Sequence, residues 1–216
     1  MDNLVEKQFR KFETIIDISN RLGIPIIHGG DLTDSPNIAY STYTTLAKVL
    51  NRCKKGFYTI FGNHDLQYHT METATSVALG ALIESCSTVK HIEDFTLDYG
   101  IEIDYEDWDD EKHITKNTHS KILISHRAII NNFMMSKNWI KNNTTDFYNI
   151  KEKEINKYEL ILCGHYHKQY EILTNKKQMI LNPGCFTRRN ANEIEVHNPS
   201  YYIVDLDTYA HTLSTI

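Results

Sequence analysis

Ile24-Pro25-Ile26-Ile27-His28-Gly29-Gly30-Asp31 is a short apolar run that ends on two glycines and a carboxylate. Gly23 before it and Gly29 after it bound a stretch too short for a helix, so it reads as a buried strand. The construction recurs three times. Phe57 to Phe61 leads into Gly62-Asn63-His64-Asp65, Ile122 to Ile124 into Ser125-His126, and Leu160 to Cys163 into Gly164-His165-Tyr166-His167. Strands that each end on Asp, Asn or His deliver those side chains to one rim, as a dinuclear metal site needs. Their oxygens and nitrogens suit Mn, Fe or Zn.

Outward from these strands the chain is punctuated by helices. Leu4, Val5, Phe9, Phe12, Ile15, Ile16 and Leu22 form a helical stripe with Gly23 as its stop. Ile38 to Arg52 and Met71 to Cys86 read as the next helices. Helix, apolar strand and Gly-containing loop in repetition predict an α/β fold with a buried sheet. From Val89 to Ile103 short extended pieces are expected. The acidic run from Asp104 to Asp110 reads as a solvated loop, and Thr144 to Lys157 as a helix. Tyr170 to Leu173, Met179 to Leu181 and Tyr201 to Leu206 read as further strands. No linker or internal repeat divides the chain.

At 216 residues, with 41% hydrophobic and 24% charged residues, this is the composition of one globular domain. No apolar stretch approaches the ~18 residues of a membrane helix, and the charged N-terminus has no signal-peptide core. Cys53, Cys86, Cys163 and Cys185 are scattered, and a reduced role is expected in a cytoplasmic protein. The net charge of −5 carries no basic field for nucleic acid, although bound divalent cations reverse the local potential.

Together the blocks at Gly30-Asp31, Gly62-Asn63-His64-Asp65, His126 and Gly164-His165-Tyr166-His167 resemble the calcineurin-like metallophosphoesterases. Gly-Gly-Asp alone favours a plain turn, and a lone His at a strand end is usually structural. It is their company that raises both. The resemblance implies a metallophosphoesterase-type β-sandwich flanked by helices, a four-layer αββα arrangement, over 1–216 as a single domain. It implies two divalent metal ions in the complete site, Mn2+ first, with Fe or Zn as alternatives. One would be held by Asp31, Asn63, His126 and His165, the other by Asp31 and His167. His64 would stabilise the transferring phosphoryl group and protonate the leaving oxygen, with Asp65 accepting from His64. Arg188 or Arg189, after the Pro183-Gly184 turn, is either a phosphate-binding group or a solvated pair. Of the remaining histidines, His69 alone lies near enough to be a substrate-side candidate; Trp108 and Trp139 read as packing residues.

The family's first block, Asp-x-His, has no counterpart here: Asp2 has Leu4 where His would stand. The expectation is an N-terminally incomplete domain lacking its first strand, with weak or no hydrolysis of its own; a true short form that binds one metal, or none tightly, is the alternative. Within the family the look is that of the compact SbcD/Mre11-like nuclease subunits. That implies a metal-dependent phosphodiester hydrolase acting on DNA with an SbcC/Rad50-like ATPase as partner, and no membrane. Two other readings stay open: a small-substrate phosphodiesterase or phosphatase acting on nucleotides or phosphoproteins, and a non-catalytic metal-binding scaffold, in which His64 and Asp65 have little use.

Overall fold

A computed structural model describes residues 4–109, 111–116, 119–130, 141–142, 144–187 and 198–216. Asp110, Trp139 and His197 lie outside them.

Helix α1 (Leu4–Leu22) ends where Gly23, at φ 69°, turns the chain, its N–H donating to the Ser19 carbonyl at 2.8 Å. Strand β1 (Ile26–His28) follows, then α2 (Tyr40–Leu50), β2 (Phe57–Thr59), α3 (Ala78–Ser85) and β3 (Val89–His91). All three strands are parallel, in the order β1-β2-β3. A second sheet takes β4 (Asp104–Glu106), β5 (Ile122–Ser125), β8 (Leu160–Cys163), β10 (Met179–Asn182) and β9 (Tyr170–Leu173) in that order, with only β9 antiparallel. A small parallel pair, β6 (Ala128–Ile130) and β7 (Phe147–Asn149), and a C-terminal hairpin, β11 (Ser200–Val204) and β12 (His211–Thr215), complete the strands.

Side-chain alternation shows how the sheets lie. Phe57 faces Ile16, Leu46, Leu50 and Leu82 of the helices, whereas Tyr58 and Ile60 face Ile122, Ile124, Leu160 and Leu181 of the second sheet. Along that sheet Leu123, Ile161, Cys163 and Ile180 point the other way, to Tyr148, Ile155 and Tyr158. The interior is therefore sheet against sheet, with α1, α2 and α3 outside the first sheet. Among the described residues no helix is long and apolar enough to cross a membrane.

The structure departs from the sequence expectations in four places. The acidic run does not begin as a solvated loop: Asp104 and Glu106 are fully buried in β4. Each has partners that justify burial. Tyr158 and Lys157 donate to Asp104 at 2.6 Å, and Ser125 and Tyr148 donate to Glu106 at 2.7 Å. The segment from Thr144 is not a helix, because Phe147 and Tyr148 pair with β6 and bury their rings. Met71 to Ser76 is a 3-10 turn broken from α3 at Val77, and it packs so tightly across Gly80 that no Cβ fits there. Asp94–Tyr99 is a helix, α4, inside the stretch expected to be extended, and Gly100 at φ 71° ends it. The four cysteines are free, three of them buried.

Ile124 has no exposed surface and sits between the two sheets. Ile124→Ala is expected to lower unfolding free energy by about 2–5 kcal/mol. Tyr40→Ala, at an exposed ring, is expected to change it by less than ~0.5 kcal/mol. Urea denaturation monitored by circular dichroism checks both.

Candidate metal centre

Strands β1, β2, β5 and β8 run parallel within their sheets, so the residues after their C-terminal ends share a rim. The turn after β1 takes Gly30 to φ 87° and Asp31 to φ 57°, a left-handed conformation that costs a non-glycine residue about 1–2 kcal/mol. Neighbouring groups hold it. The Asp31 N–H donates to Asp65 Oδ2 at 2.7 Å, and the His64 N–H donates to Asp31 Oδ1 at 2.8 Å. Gly62 must be glycine, because a Cβ there would collide with the backbone and carboxylate of Asp31.

Four ligand-type atoms then converge. His126 Nε2 lies 3.1 Å from Asn63 Oδ1, 3.3 Å from Asp31 Oδ2 and 3.3 Å from His165 Nδ1. His165 Nδ1 lies 3.2 Å from Asn63 Oδ1. His126 Nδ1 donates to the Gly29 carbonyl at 2.7 Å, which fixes the ring and turns the lone pair of the neutral form, on Nε2, into the cluster. An amide oxygen, a carboxylate oxygen and two imidazole nitrogens brought together in this way are held only by a proton or a cation shared among them. Oxygen and nitrogen donors at this spacing fit a borderline divalent cation.

The charges of these groups are strongly coupled. Burial alone would raise the Asp31 carboxyl, but the His126 charge and hydrogen bonds from the His126 ring and the His64 amide hold it well below the usual carboxylate range. Burial lowers His126, and the Asp31 charge and hydrogen bond overcome it, so its net shift is upward. Burial and the His126 charge push His165 down to about 3, leaving it the neutral ring that ligates.

Of the residues singled out from sequence, the structure thus brings Asp31, Asn63, His126 and His165 to one point. His167 stands two residues beyond His165 and outside the converging group of Asp31, His126 and His165. Its loop is fixed from behind: Asn182 Nδ2 donates to the Tyr166 carbonyl at 2.9 Å, and the Cys185 N–H to the His167 carbonyl at 2.9 Å. That is the work of the Asn182-Pro183-Gly184 turn. Asp65 differs from its expected role. Both of its oxygens accept main-chain N–H groups, from Asp31 and Gly62 on Oδ2 and from Thr33 on Oδ1, so it positions the loops rather than the His64 ring. Burial and then the Asp31 charge push it up to about 7. Arg188 and Arg189 lie outside the described residues.

Trp108, read from sequence as a packing residue, is buried behind the centre, and sequence reasoning missed the Arg127 that supports it. Trp108 stacks on His165, with ring centroids 5.0 Å apart, and meets the edge of His126. The guanidinium of Arg127 sits 4.6 Å over the Trp108 ring and is fully buried, paired with Glu106 at 3.2 Å. It also donates to the Thr145 carbonyl at 2.6 Å and to the Asp109 carbonyl. Only the position of Arg127 directly after His126 could have marked it. Asp146 lies 3.9 Å from His165 Nε2, on the side away from the cluster.

A family model described as the calcineurin-like phosphoesterase superfamily domain matches residues 10–209. The chain belongs to that family. Membership supports metal-dependent hydrolysis of phosphoesters, and the family's use of divalent metals agrees with the donor set at Asp31, His126 and His165. The DNA double-strand break repair protein Mre11 of Methanosarcina acetivorans is 27% identical over 212 residues, covering 92% of this chain and 33% of that protein. The phosphoesterase chain therefore spans about a third of that relative's length.

Gly62→Ala is expected to displace Asp31 and weaken Mn2+ binding roughly 10- to 100-fold, as losses of ligand support do. Isothermal titration calorimetry measures it, with circular dichroism reporting the fold. His28, at the head of the same turn, is pushed down from 6.5 to about 4 by burial, with its Nδ1 3.0 Å from Thr59 Oγ1. The unfolded chain binds a proton in this window that the folded ring does not. Stability is therefore full above pH 6.5 and falls as pH drops toward about 4, by on the order of 3 kcal/mol. Urea midpoints at several pH values should show this slope, and His28→Asn should make it shallower, His165 contributing the remainder.

Proposed function

We propose that this chain is a metal-dependent phosphodiester hydrolase acting on DNA, a nuclease subunit of the SbcD/Mre11 kind. The observation that carries the reading is the convergence of Asp31, Asn63, His126 and His165 on one point at the rim of a phosphoesterase domain. The similarity to a DNA double-strand break repair protein supports DNA as substrate and, by the same analogy, an SbcC/Rad50-like ATPase as partner. Asp104 and Glu106 are buried, so these two carboxylates add no acidic surface against a polyanionic substrate.

In this reading Asp31, Asn63, His126 and His165 hold one cation, and Asp31 and His167 contribute to a second. When bound, such cations neutralise phosphoryl charge and activate water. The chain's own groups do the rest. The His64 N–H donates to Asp31 Oδ1 and ties its backbone to the cluster; in this reading its ring gives a proton to the leaving oxygen. Asp65 keeps the Asp31 and Gly62 amides in place, and Trp108 shields the His165 face from water.

The test is hydrolysis of linear duplex DNA by the purified chain with Mn2+, scored against salt. The expected outcome is metal-dependent cleavage, a steep loss of binding with added salt, and a fall in rate of about a hundredfold or more in His64→Ala. Cleavage of mononucleotide esters alone, indifferent to salt, would reject DNA as the substrate. Binding of Mn2+ without turnover of any phosphoester would reject the enzyme reading.

A further inference from the structure

Six described residues other than glycine have positive φ: Asp31, Tyr68, His69, His165, Lys177 and Tyr209. Lys177 and Tyr209 turn the antiparallel connections β9–β10 and β11–β12, where such a conformation serves the hairpin. Asp31 and His165 carry ligand atoms of the metal centre. Tyr68 and His69 have neither reason. They are consecutive, at φ 57° and 58°, in a surface turn of 3-10 type, Gln67–His69, that follows the Gly62–Asp65 loop.

This turn is firmly built. Thr73 Oγ1 sits between the Gln67 amide and carbonyl at 3.1 Å each and lies 2.8 Å from the Thr70 carbonyl. His69 Nδ1 donates to the Asn63 carbonyl at 2.7 Å, so the turn is tied to a residue of the metal centre. The His69 ring meets the His64 ring edge to face, with centroids 6.3 Å apart. The strained turn thus borders the place where the leaving group departs. Tyr68, next to it, is 80% exposed and makes no hydrogen bond or ring contact with any described residue. Its ring adds nothing to the packing, and its backbone is strained. The turn that ties His69 to Asn63 accounts for the backbone of Tyr68, and nothing among the described residues accounts for an exposed aromatic ring at this position.

We infer that Tyr68 is a specificity-determining residue that stacks on a nucleobase of the substrate, with His69 anchoring it to the metal loop. A large flat π face, held on a clamped turn beside a phosphoester site, fits the face of a base and takes any base. The inference rests on the phosphodiesterase reading, and it narrows the substrate to nucleotide-containing esters.

The test measures the affinity of the Mn2+-loaded chain for thymidine 5′-monophosphate and for inorganic phosphate by calorimetry, in the wild type, Tyr68→Gly and Tyr68→Phe. Glycine adopts positive φ without strain, so Tyr68→Gly should raise the melting temperature by about 2–4 °C. The same variant should bind thymidine monophosphate roughly 5- to 150-fold more weakly, the span carried by one stacked base. Phosphate affinity should be unchanged, and Tyr68→Phe should match the wild type. A structural role predicts the opposite sign for the melting temperature. Unchanged nucleotide affinity in Tyr68→Gly, or an equal loss for nucleotide and phosphate, would overturn the inference. Tyr68-dependent nucleotide binding without hydrolysis would reject the enzyme reading and leave the stacking site standing. Hydrolysis indifferent to Tyr68 would do the reverse.

Discussion

The carboxylate of Asp65 accepts the N–H groups of Asp31, Gly62 and Thr33 at 2.7, 2.9 and 3.2 Å, and it is fully buried. Everything at the rim of the first sheet follows from this. Two loops that leave neighbouring strands would otherwise diverge. Asp65 draws their amides to one point, so Asp31 stays in its left-handed conformation and Gly62 passes within contact of it. A buried acceptor with several backbone donors fixes geometry more firmly than any exposed pair, because leaving those amides unpaired costs about 1–3 kcal/mol each.

The second sheet solves the same problem with a cation. Arg127 follows the ligand His126 directly and turns inward, where Glu106, the Thr145 carbonyl and the Trp108 face surround its guanidinium. Trp108 in turn lies on His165. The carboxylate at the first rim and the guanidinium at the second stand behind the same cluster, one bracing Asp31, the other bracing the imidazoles.

The strands that carry ligands were legible because a buried strand must be continuously apolar and must stop where polar side chains begin. Ile24 to Ile27, Phe57 to Phe61 and Leu160 to Cys163 announce themselves in this way. Asn63 and His126 were legible only as members of a set. Two stretches were misread because local pattern was overruled by long-range partners. Asp104 and Glu106 look solvent-seeking until Tyr158 and Tyr148, more than forty residues away, supply their hydrogen bonds. Phe147 and Tyr148 fit a helical stripe until β6 offers them a strand. Arg127 could not be recognised, since nothing in a sequence separates a buried arginine from an exposed one until its acceptors are in place. The role of Asp65 was misplaced because the backbone amides it accepts leave no mark in the residue pattern.

The bond from His126 to Gly29 spans 97 residues and the contact of His165 with Asn63 spans 102. Such contacts join distant parts of the chain, so the centre exists only in the folded state and its closure carries a large loop-closure cost. A cation held there recognises the native chain and has little purchase on the unfolded one. By mass action its free concentration then becomes a term in the stability of the whole domain, growing as RT ln(1 + [M]/Kd). The metal supply of the surroundings would in this way set how much of the chain is folded, before any substrate arrives.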